Sequence, residues 1–317
     1  AAVLADADPA LRDDPKVCAA CVATDGEALA LCPERLRADR AVVLAAVKHA
    51  GAALRHVDDA KLLADRDVVL AAAKTWGGAL EKCSPRLLAD PTFIKAAVAI
   101  DPWFLQHATD AAADDRACCL ASVALDGACL QFAPAELRAD PAVVSAAVAA
   151  PPRPGGGDPG AALAYADDEL RGDPSIVLKA AKASPDAVAH ASAALRDDKK
   201  TAAALIKADW RCLAHLSDAR KADKKIVEPA LKASSDALEF TPLSNDKKLV
   251  LGVVKKDGLA LRHASDALRA SKEIVLAAVK QNVEALKYVS DTDVLFADKD
   301  ICAAAKKKGV LLQDDDA

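Results

Sequence analysis

The segment DKKLVLGVVKKDGLALRHASDALRA, residues 246–270, contains the pattern that determines the fold. It begins with an aspartate, carries apolar residues at the third, fourth, seventh and eighth positions after it, and reaches a glycine at the twelfth. That spacing places apolar side chains on one face of an α-helix, which the glycine interrupts. A second apolar group, Ala260, Leu261 and Leu268, follows the glycine. The segment therefore predicts two short helices that form an αα-hairpin.

The same pattern recurs along the chain, and we number positions within each repeat from an anchor residue at position 0. The anchors are Asp14, Asp39, Asp65, Asp90, Asp115, Asp140, Asp173, Asp198, Asp223, Asp246, Ser271 and Asp298. Successive anchors lie 25, 26, 25, 25, 25, 33, 25, 25, 23, 25 and 27 residues apart. Aspartate and serine are strong helix N-caps, and proline, which is tolerated at the first helical position, follows four of the anchors. Each anchor therefore predicts the start of a helix.

Helices of about ten residues are not stable alone, so the hairpins must stack to bury their apolar faces. The sequence predicts an all-α fold, an α-solenoid of about twelve αα-hairpin repeats of about 25 residues, forming a single domain over residues 1–317. Half-repeats stand at both ends, because Leu4 and Leu11 align with positions 15 and 22 and the helix after Asp298 lacks a complete partner. Solenoid ends need covering. We therefore expect a protein partner at one end or both.

The stretch PPRPGGGDPG, residues 151–160, accounts for the 33-residue spacing. It falls in the turn between the two halves of one repeat, so we interpret it as a loop insertion, not as a linker between domains. Arg153 in this loop is a candidate for contact with a partner.

The segment from residue 246 to 290 resembles the tandem family called domain of unknown function 4116, whose unit reads D-K-E-x-V-L-x-A-V-x-x-N-G-x-A-L-x-x-A-S-x-x-L. Residues 14–245 resemble it more loosely, at the aspartate, the following Val or Ile pair and the Ala-Leu pair. The resemblance implies helical repeats and carries over no activity and no catalytic residue.

Composition and charge exclude several classes of protein. The chain is 53% hydrophobic but only 3% aromatic, and its net charge is −5. No basic domain stands out, so nucleic acid is not an expected partner. The sequence contains no stretch of about 20 uncharged apolar residues, so it predicts no transmembrane helix. No secretory signal is visible.

Nine cysteines invite a metal or disulfide interpretation, but each occupies a position that is apolar or small in other repeats. They are Cys18, Cys21, Cys32, Cys83, Cys118, Cys119, Cys129, Cys212 and Cys302. We predict that they are core residues. A zinc site built from Cys18, Cys21 and Cys32 would lack a clear fourth ligand, so we predict no metal and no cofactor. Core thiols fit a reducing compartment, such as the cytoplasm or an organelle interior.

Position 17 holds a ring side chain in nine repeats. The members are His56, His107, Phe132, Tyr165, His190, His215, Phe240, His263 and Tyr288. This ring column is interpreted either as packing between repeats, with one polar edge in water, or as a recognition surface that responds to pH. No nucleophile and no group of carboxylates accompanies it, so the chain is predicted not to be an enzyme.

Two further sets of residues are candidates for surface contacts. Trp76, Trp103 and Trp210 fall in the turn between the two halves of their repeats and form a hypothetical partner-binding edge. Arginines at position −2 predict a solvated ridge of salt bridges. They are Arg12, Arg37, Arg138, Arg171, Arg196 and Arg269.

These features favour a non-enzymatic protein-interaction scaffold, expected to be a structural or accessory subunit of a larger assembly. One alternative is an accessory protein that contacts a small ligand or pigment through the ring column. Another is the regulatory repeat region of a larger protein whose active domain lies elsewhere.

Overall fold

The computed structural model describes residues 4, 8–151, 160–290 and 298–310. Within these residues the regular secondary structure is entirely helical, which confirms the predicted all-α class. The chain forms two compact units, Ala1–Leu170 and Arg171–Ala317. Their boundary falls beyond the insertion at residues 151–160, and the single domain stays a prediction. Arg153 and the rest of residues 152–159 lie outside the described residues.

A longer helix follows every anchor. These helices are α1 (Pro15–Thr24), α2 (Arg40–His49), α3 (Arg66–Ala73), α4 (Pro91–Val98), α5 (Arg116–Val123), α6 (Pro141–Ala147), α7 (Pro174–Ala183), α8 (Lys199–Ala208), α9 (Lys224–Ala233), α10 (Lys247–Val254), α11 (Lys272–Gln281) and α12 (Lys299–Lys306). Each anchor aspartate accepts hydrogen bonds from N–H groups of the first turn; Asp140, for example, accepts from Ala142 and Val143. The predicted N-caps are therefore confirmed, except that Ser271 caps α11 without a side-chain hydrogen bond.

The second half of the repeat differs from the predicted α-helix. In most repeats it is a six-residue 3₁₀ helix over positions 12–17, followed by a one-turn helix that ends just before the next anchor. The 3₁₀ helices are Gly26–Leu31, Gly51–His56, Pro102–His107, Gly127–Phe132, Pro185–His190, Trp210–His215, Ser235–Phe240, Gly258–His263 and Val283–Tyr288, with a short one at Pro242–Asn245. The one-turn helices are Pro9–Arg12, Glu34–Arg37, Pro85–Leu88, Asp110–Ala113, Ala135–Arg138, Asp168–Arg171, Ala193–Asp197, Asp218–Lys221 and Asp266–Arg269. Ala79–Lys82 and Ala161–Ala164 replace the 3₁₀ helix in two repeats.

Two local features explain why no continuous second α-helix forms. Position 11 is a second N-cap, as at Asp126, whose carboxylate accepts from the Ala128 N–H at 3.0 Å. Position 18 then adopts an extended backbone conformation, as at Cys32 and Ala133, and ends the 3₁₀ helix. The αα-hairpin is thus corrected to an α-helix followed by a 3₁₀ helix and, in most repeats, a single α-turn.

In the first unit the long helices α1 to α6 each pack against the next, and so do the segments that follow them. The long helices form one layer and the segments that follow them form a second layer. The two layers enclose the apolar positions 3, 4, 7 and 8 of each long helix and the leucine at position 15. Val43, Ile94, Leu54 and Leu130 are fully buried examples. Burial of one such Val, Ile or Leu side chain contributes about 1.5–3 kcal/mol, so the layers are held chiefly by this shared core.

The second unit has the same two layers, with one exception. Helices α7 to α9 pack in succession, and so do α10 to α12, but α9 and α10 make little direct contact. The 3₁₀ helices Ser235–Phe240 and Gly258–His263 that follow them still pack against each other. Between the repeats that contain α9 and α10, the core is therefore continuous only in the layer of 3₁₀ helices.

Glycine at position 12 allows two repeats to approach closely. A β-carbon at Gly51 would lie 2.1 Å from the carbonyl oxygen of Ala72, in the helix of the next repeat. The equivalent distance is 2.4 Å between Gly258 and Ala278. The N–H of Gly51 also donates to the Thr75 hydroxyl of the next repeat at 2.8 Å. This glycine therefore serves the contact between repeats in addition to interrupting the helix.

Backbone hydrogen bonds also join successive repeats. The N–H at position 19 donates to the carbonyl oxygen at position −2, which belongs to the preceding one-turn segment. Ser84 donates to Leu63 at 2.8 Å, and Ser192 donates to Arg171 at 2.9 Å. The same bond recurs at Thr109, Asp167, Ser217, Ser265 and Ser290. These bonds keep neighbouring repeats in a constant register.

Candidate functional site

Ion pairs connect position 1 of one repeat with the anchor of the next. Arg40 Nε lies 2.6 Å from Asp65 Oδ2, and Arg116 Nε lies 2.6 Å from Asp140 Oδ2. The further pairs are Arg66–Asp90, Lys199–Asp223, Lys224–Asp246 and Lys272–Asp298. This ladder of ion pairs was not predicted from the sequence, although position 1 holds either a basic residue or a proline in every repeat.

The ladder gives the anchor carboxylates two kinds of partner. The hydrogen bond from Arg116 and the N–H groups of Val143 and Ala142 lower the pKa of the Asp140 carboxyl to about 2. In the repeat that begins at Ser271 no anchor carboxylate is available, and Lys247 Nζ instead lies 2.6 Å from Glu273 Oε2. The anchors are therefore structural charges that join repeats.

The ring column lies at the ends of the 3₁₀ helices or at the equivalent residue. All nine rings are half-buried. Most contacts that join them to the preceding repeat are made by a residue at position 12 or 13, and His263 also lies 3.7 Å from Glu239 at position 16. His56 Nε2 is 3.1 Å from Glu27 Oε2, and His215 Nε2 is 2.9 Å from Asp186 Oδ1. These direct contacts support the interpretation of the ring column as packing between repeats. A recognition role for the column stays a prediction.

Arginine completes two of these contacts. Arg55 and His56 both bind the Glu27 carboxylate, and the hydrogen bonds from His56 and then Arg55 lower the pKa of Glu27. Arg262 and His263 repeat the arrangement around Asp236. Each carboxylate is therefore paired with an arginine and a histidine of the next repeat.

Two of the three tryptophans pack on the ring column of the next repeat. The Trp103 and Phe132 ring centroids are 5.3 Å apart in an edge-to-face arrangement, and those of Trp210 and Phe240 are 6.3 Å apart. Trp76 folds over the backbone of Gly78. All three are half-buried. Their role as a partner-binding edge stays a prediction, but Trp103 and Trp210 also stabilise the stacking of repeats.

Trp103→Phe is expected to destabilise the first unit by about 1–2 kcal/mol, because it removes a hydrogen bond to a buried carboxylate. Trp103 Nε1 donates to Asp126 Oδ2 at 2.9 Å, and Asp126 is only 5% exposed. Urea denaturation followed by circular dichroism measures the loss.

Trp210→Phe is the matched control, since the described contacts of that indole are ring packing on Phe240. It should cost less than Trp103→Phe. Equal losses for the two variants would contradict a structural role for the Trp103–Asp126 bond.

The arginines at position −2 are half-buried, unlike the solvated ridge that the sequence predicts. Nε atoms in Arg37, Arg138, Arg196 and Arg269 are buried without a hydrogen-bond partner in the described part of the chain. Arg269 pairs with Asp266 in its own helix. In these four arginines the Nε atom is therefore covered by protein, so the side-chain stem lies along the surface of the fold.

The nine cysteines are free thiols; Cys21 and Cys302 are half-buried and the other seven are buried. Burial raises the pKa of Cys83 to about 11 and, with the nearby Asp115, the pKa of Cys118 to about 12. Such thiols stay protonated at neutral pH and are poor nucleophiles. Within the described ranges, no group of three or more His, Cys, Asp or Glu side chains is placed to hold a metal ion.

A row of lysines is the main surface feature that was not predicted from the sequence. Position 9 holds an exposed lysine in every repeat of the second unit, namely Lys182, Lys207, Lys232, Lys255, Lys280 and Lys307. None of the six forms an ion pair with another described residue. They stand at the C-terminal ends of the long helices, where the helix dipole favours positive charge. The row is also a repeated cationic surface.

None of the described helices has the length and apolar character needed to cross a bilayer.

Residues 14–60, 65–111 and 246–292 match the model of the family described as Domain of unknown function (DUF4116). No curated protein and no solved structure matches the chain. Each matched segment begins at an anchor aspartate and extends to position 21 of the following repeat, so one family unit corresponds to two repeats. The chain is thus built from tandem helical repeats that resemble the DUF4116 family.

Proposed function

We propose that the chain is an α-solenoid of about twelve repeats and acts as a non-enzymatic scaffold that binds other proteins. Within each unit, the position-1 ion pairs, the position-19 hydrogen bonds and the ring contacts join successive repeats in the same way. This recurrent stacking, which is interrupted in the layer of long helices between α9 and α10, supports the solenoid. Stacked repeats present equivalent surface positions side by side, which suits the binding of extended partners.

The row of six lysines carries this proposal. It offers one exposed positive charge per repeat without an ion-pair partner in the described chain. The carboxylates Glu27, Asp186 and Asp236, in contrast, are engaged by histidines between repeats. The surface therefore has charge available for binding, and the described polar groups that resemble catalytic residues serve to join repeats.

The test is affinity capture of the tagged full chain from its native cells, with chemical cross-linking and mass spectrometry. We expect at least one protein in near-stoichiometric amount. The variant Lys182→Glu/Lys207→Glu/Lys280→Glu should lose that protein, because long lysine rows attract acidic surfaces. A second variant, Trp76→Ser/Trp210→Ser, tests the tryptophan edge.

The matched control is Lys200→Glu/Lys225→Glu/Lys299→Glu, which makes the same change of net charge at exposed lysines outside the row. Circular dichroism must show unchanged helicity in all variants. The scaffold proposal is wrong if no protein is captured near stoichiometry. The lysine row is not the binding surface if its variant and the control retain the partner equally.

A further inference from the structure

The layer of long helices in the second unit opens between α9 and α10. The other neighbouring pairs within α7 to α9 and α10 to α12 pack directly, whereas these two leave a cleft of about 760 Å³ between them. That volume is within the range of about 300–1,000 Å³ typical of ligand sites. The cleft is therefore large enough to receive several side chains of a binding partner.

The sequence explains the opening. The anchors Asp223 and Asp246 are 23 residues apart, two fewer than the usual 25. The usual one-turn helix is replaced here by the short 3₁₀ helix Pro242–Asn245. Pro229 also stands inside α9, where it removes a backbone donor and disturbs the helix. A shortened repeat and an irregular helix thus coincide at this step and nowhere else among the described long helices.

The floor of the cleft is apolar. Leu231 from α9 and Leu249 and Val253 from α10 line it, and the two leucines are half-buried against the core of the unit. Gly252 is exposed in the middle of α10, and a β-carbon built there meets no atom within 4 Å. The corresponding residue of α11 is Ala277. Glycine at this position therefore widens the cleft at a cost in helix propensity.

The rim is cationic. Lys232, Lys248 and Lys256 are exposed and form no ion pair with a described residue. Lys232 is also a member of the lysine row. The acids of the lining are mostly engaged: Asp246 caps α10 and binds Lys224, and Asp257 caps a 3₁₀ helix and accepts from Ser235.

Glu228 remains as one exposed carboxylate on the α9 side. Four lysines and three acids line the cleft, so its formal charge is +1. Lys224 neutralises Asp246, whereas Asp257 keeps its charge when it accepts from the Ser235 hydroxyl. The three remaining lysines exceed the two remaining carboxylates, so the charge free to meet a partner is positive. An anionic apolar partner is therefore favoured over a cationic one.

We propose that this cleft is the docking site for an acidic amphipathic helix of a protein partner. Apolar side chains spaced by three and four residues would rest on Leu231, Leu249 and Val253, and flanking carboxylates would pair with Lys232, Lys248 and Lys256. The occupant takes the place that a directly packed neighbouring helix has elsewhere in the layer. The inference rests on the scaffold function proposed above and names the chemistry of its partner.

The test uses the full chain and a fluorescein-labelled helical peptide with leucines at positions i, i+3, i+4 and i+7 and glutamates on both flanks. Fluorescence anisotropy should give a dissociation constant of about 1–100 µM. The variants Gly252→Trp, which fills the cleft, and Lys232→Glu/Lys248→Glu/Lys256→Glu should each weaken binding at least ~10-fold. The same peptide with lysine in place of glutamate should bind at least ~10-fold more weakly.

The control variant is Lys200→Glu/Lys225→Glu/Lys299→Glu, which changes the net charge equally but lies outside both the cleft and the lysine row. It should weaken peptide binding by less than ~3-fold at physiological salt. Equal effects of the two triple variants, equal binding of the lysine peptide, or competition by inorganic phosphate alone would overturn the proposal. So would a dimer of the chain that Gly252→Trp dissociates, because a second copy would then be the occupant.

The two proposals can fail separately. If the captured protein depends on the lysine row but not on Gly252, and the peptide does not bind, the scaffold function stands and the cleft is not its docking site. If nothing is captured and the peptide still binds at the cleft, the site is real and the scaffold function is wrong.

Discussion

Gly258→Ala is expected to lower the free energy of unfolding of the second unit by about 2–3 kcal/mol. The new β-carbon would lie 2.4 Å from the carbonyl oxygen of Ala278, 2.9 Å from Gln281 Oε1 and 3.1 Å from the backbone nitrogen of Asn282. Two of these atoms belong to the backbone of the next repeat. The clash can therefore be relieved only by moving α11 away, which weakens the core packing and the Gly258 N–H bond to Gln281.

Gly252→Ala is the matched control, six residues away in the same unit. A β-carbon at Gly252 meets nothing within 4 Å, and alanine is the better helix former. This substitution should raise the free energy of unfolding by up to ~1 kcal/mol. Urea denaturation of both variants, followed by far-UV circular dichroism, measures the pair of opposite shifts. Stabilisation by Gly258→Ala would show that the repeats are not stacked as described.

The long helices follow from the sequence because their determinants are local. The aspartate N-cap, the proline at the first helical position and the apolar residues at positions 3, 4, 7 and 8 all act within one helix. Asp140, Pro141, Val143 and Val144 behave as the pattern predicts. The 3₁₀ helix could not be inferred in the same way, because the Ala-Leu pair that it buries is equally compatible with an α-helix.

Contacts between repeats were harder to predict from the sequence than the long helices, because they join residues about 25 positions apart. The glycine at position 12 is a plausible helix breaker in the sequence, but its neighbour, Ala278 in the case of Gly258, is visible only in three dimensions. The ion pair of Arg116 with Asp140 could have been found by comparing position 1 across repeats, where basic residues and prolines exclude each other. The cleft could be identified only from the structure, since a repeat that is two residues shorter does not reveal which layer opens.

The candidate sites also differ in how readily they are recognised in the sequence. The ring column and the tryptophans are conspicuous in the sequence because they are rare residues at fixed positions, and in the structure several of them contact the neighbouring repeat, as Trp103 contacts Phe132. The lysine row was hidden by the abundance of lysine and by a net charge of −5. Charge balance over a whole chain therefore conceals a cationic surface that one position in each repeat creates.

Acid is expected to unfold the protein, because the pKa values of several anchor carboxylates are lowered in the folded state. Arg40 and Lys224 lower the pKa of Asp65 and Asp246, and Arg116 lowers that of Asp140 to about 2. A carboxyl whose folded pKa is lowered contributes stability above its unfolded pKa of 3.8, and that contribution is lost as the pH falls through the folded value. The window therefore runs from about pH 4 down to about pH 2.

The urea midpoint should be nearly constant from pH 7 to pH 5 and fall to below about half that value at pH 2.5. Asp140→Asn removes one titrating group, so it should lower stability at pH 7 and reduce the dependence on pH below 4. High salt screens the exposed ion pairs but not the capping N–H groups of α6, so 1 M NaCl should abolish only part of the fall, consistent with a screening length of about 3 Å. A midpoint that stays flat down to pH 2.5 would mean that the anchor carboxylates do not hold the repeats together.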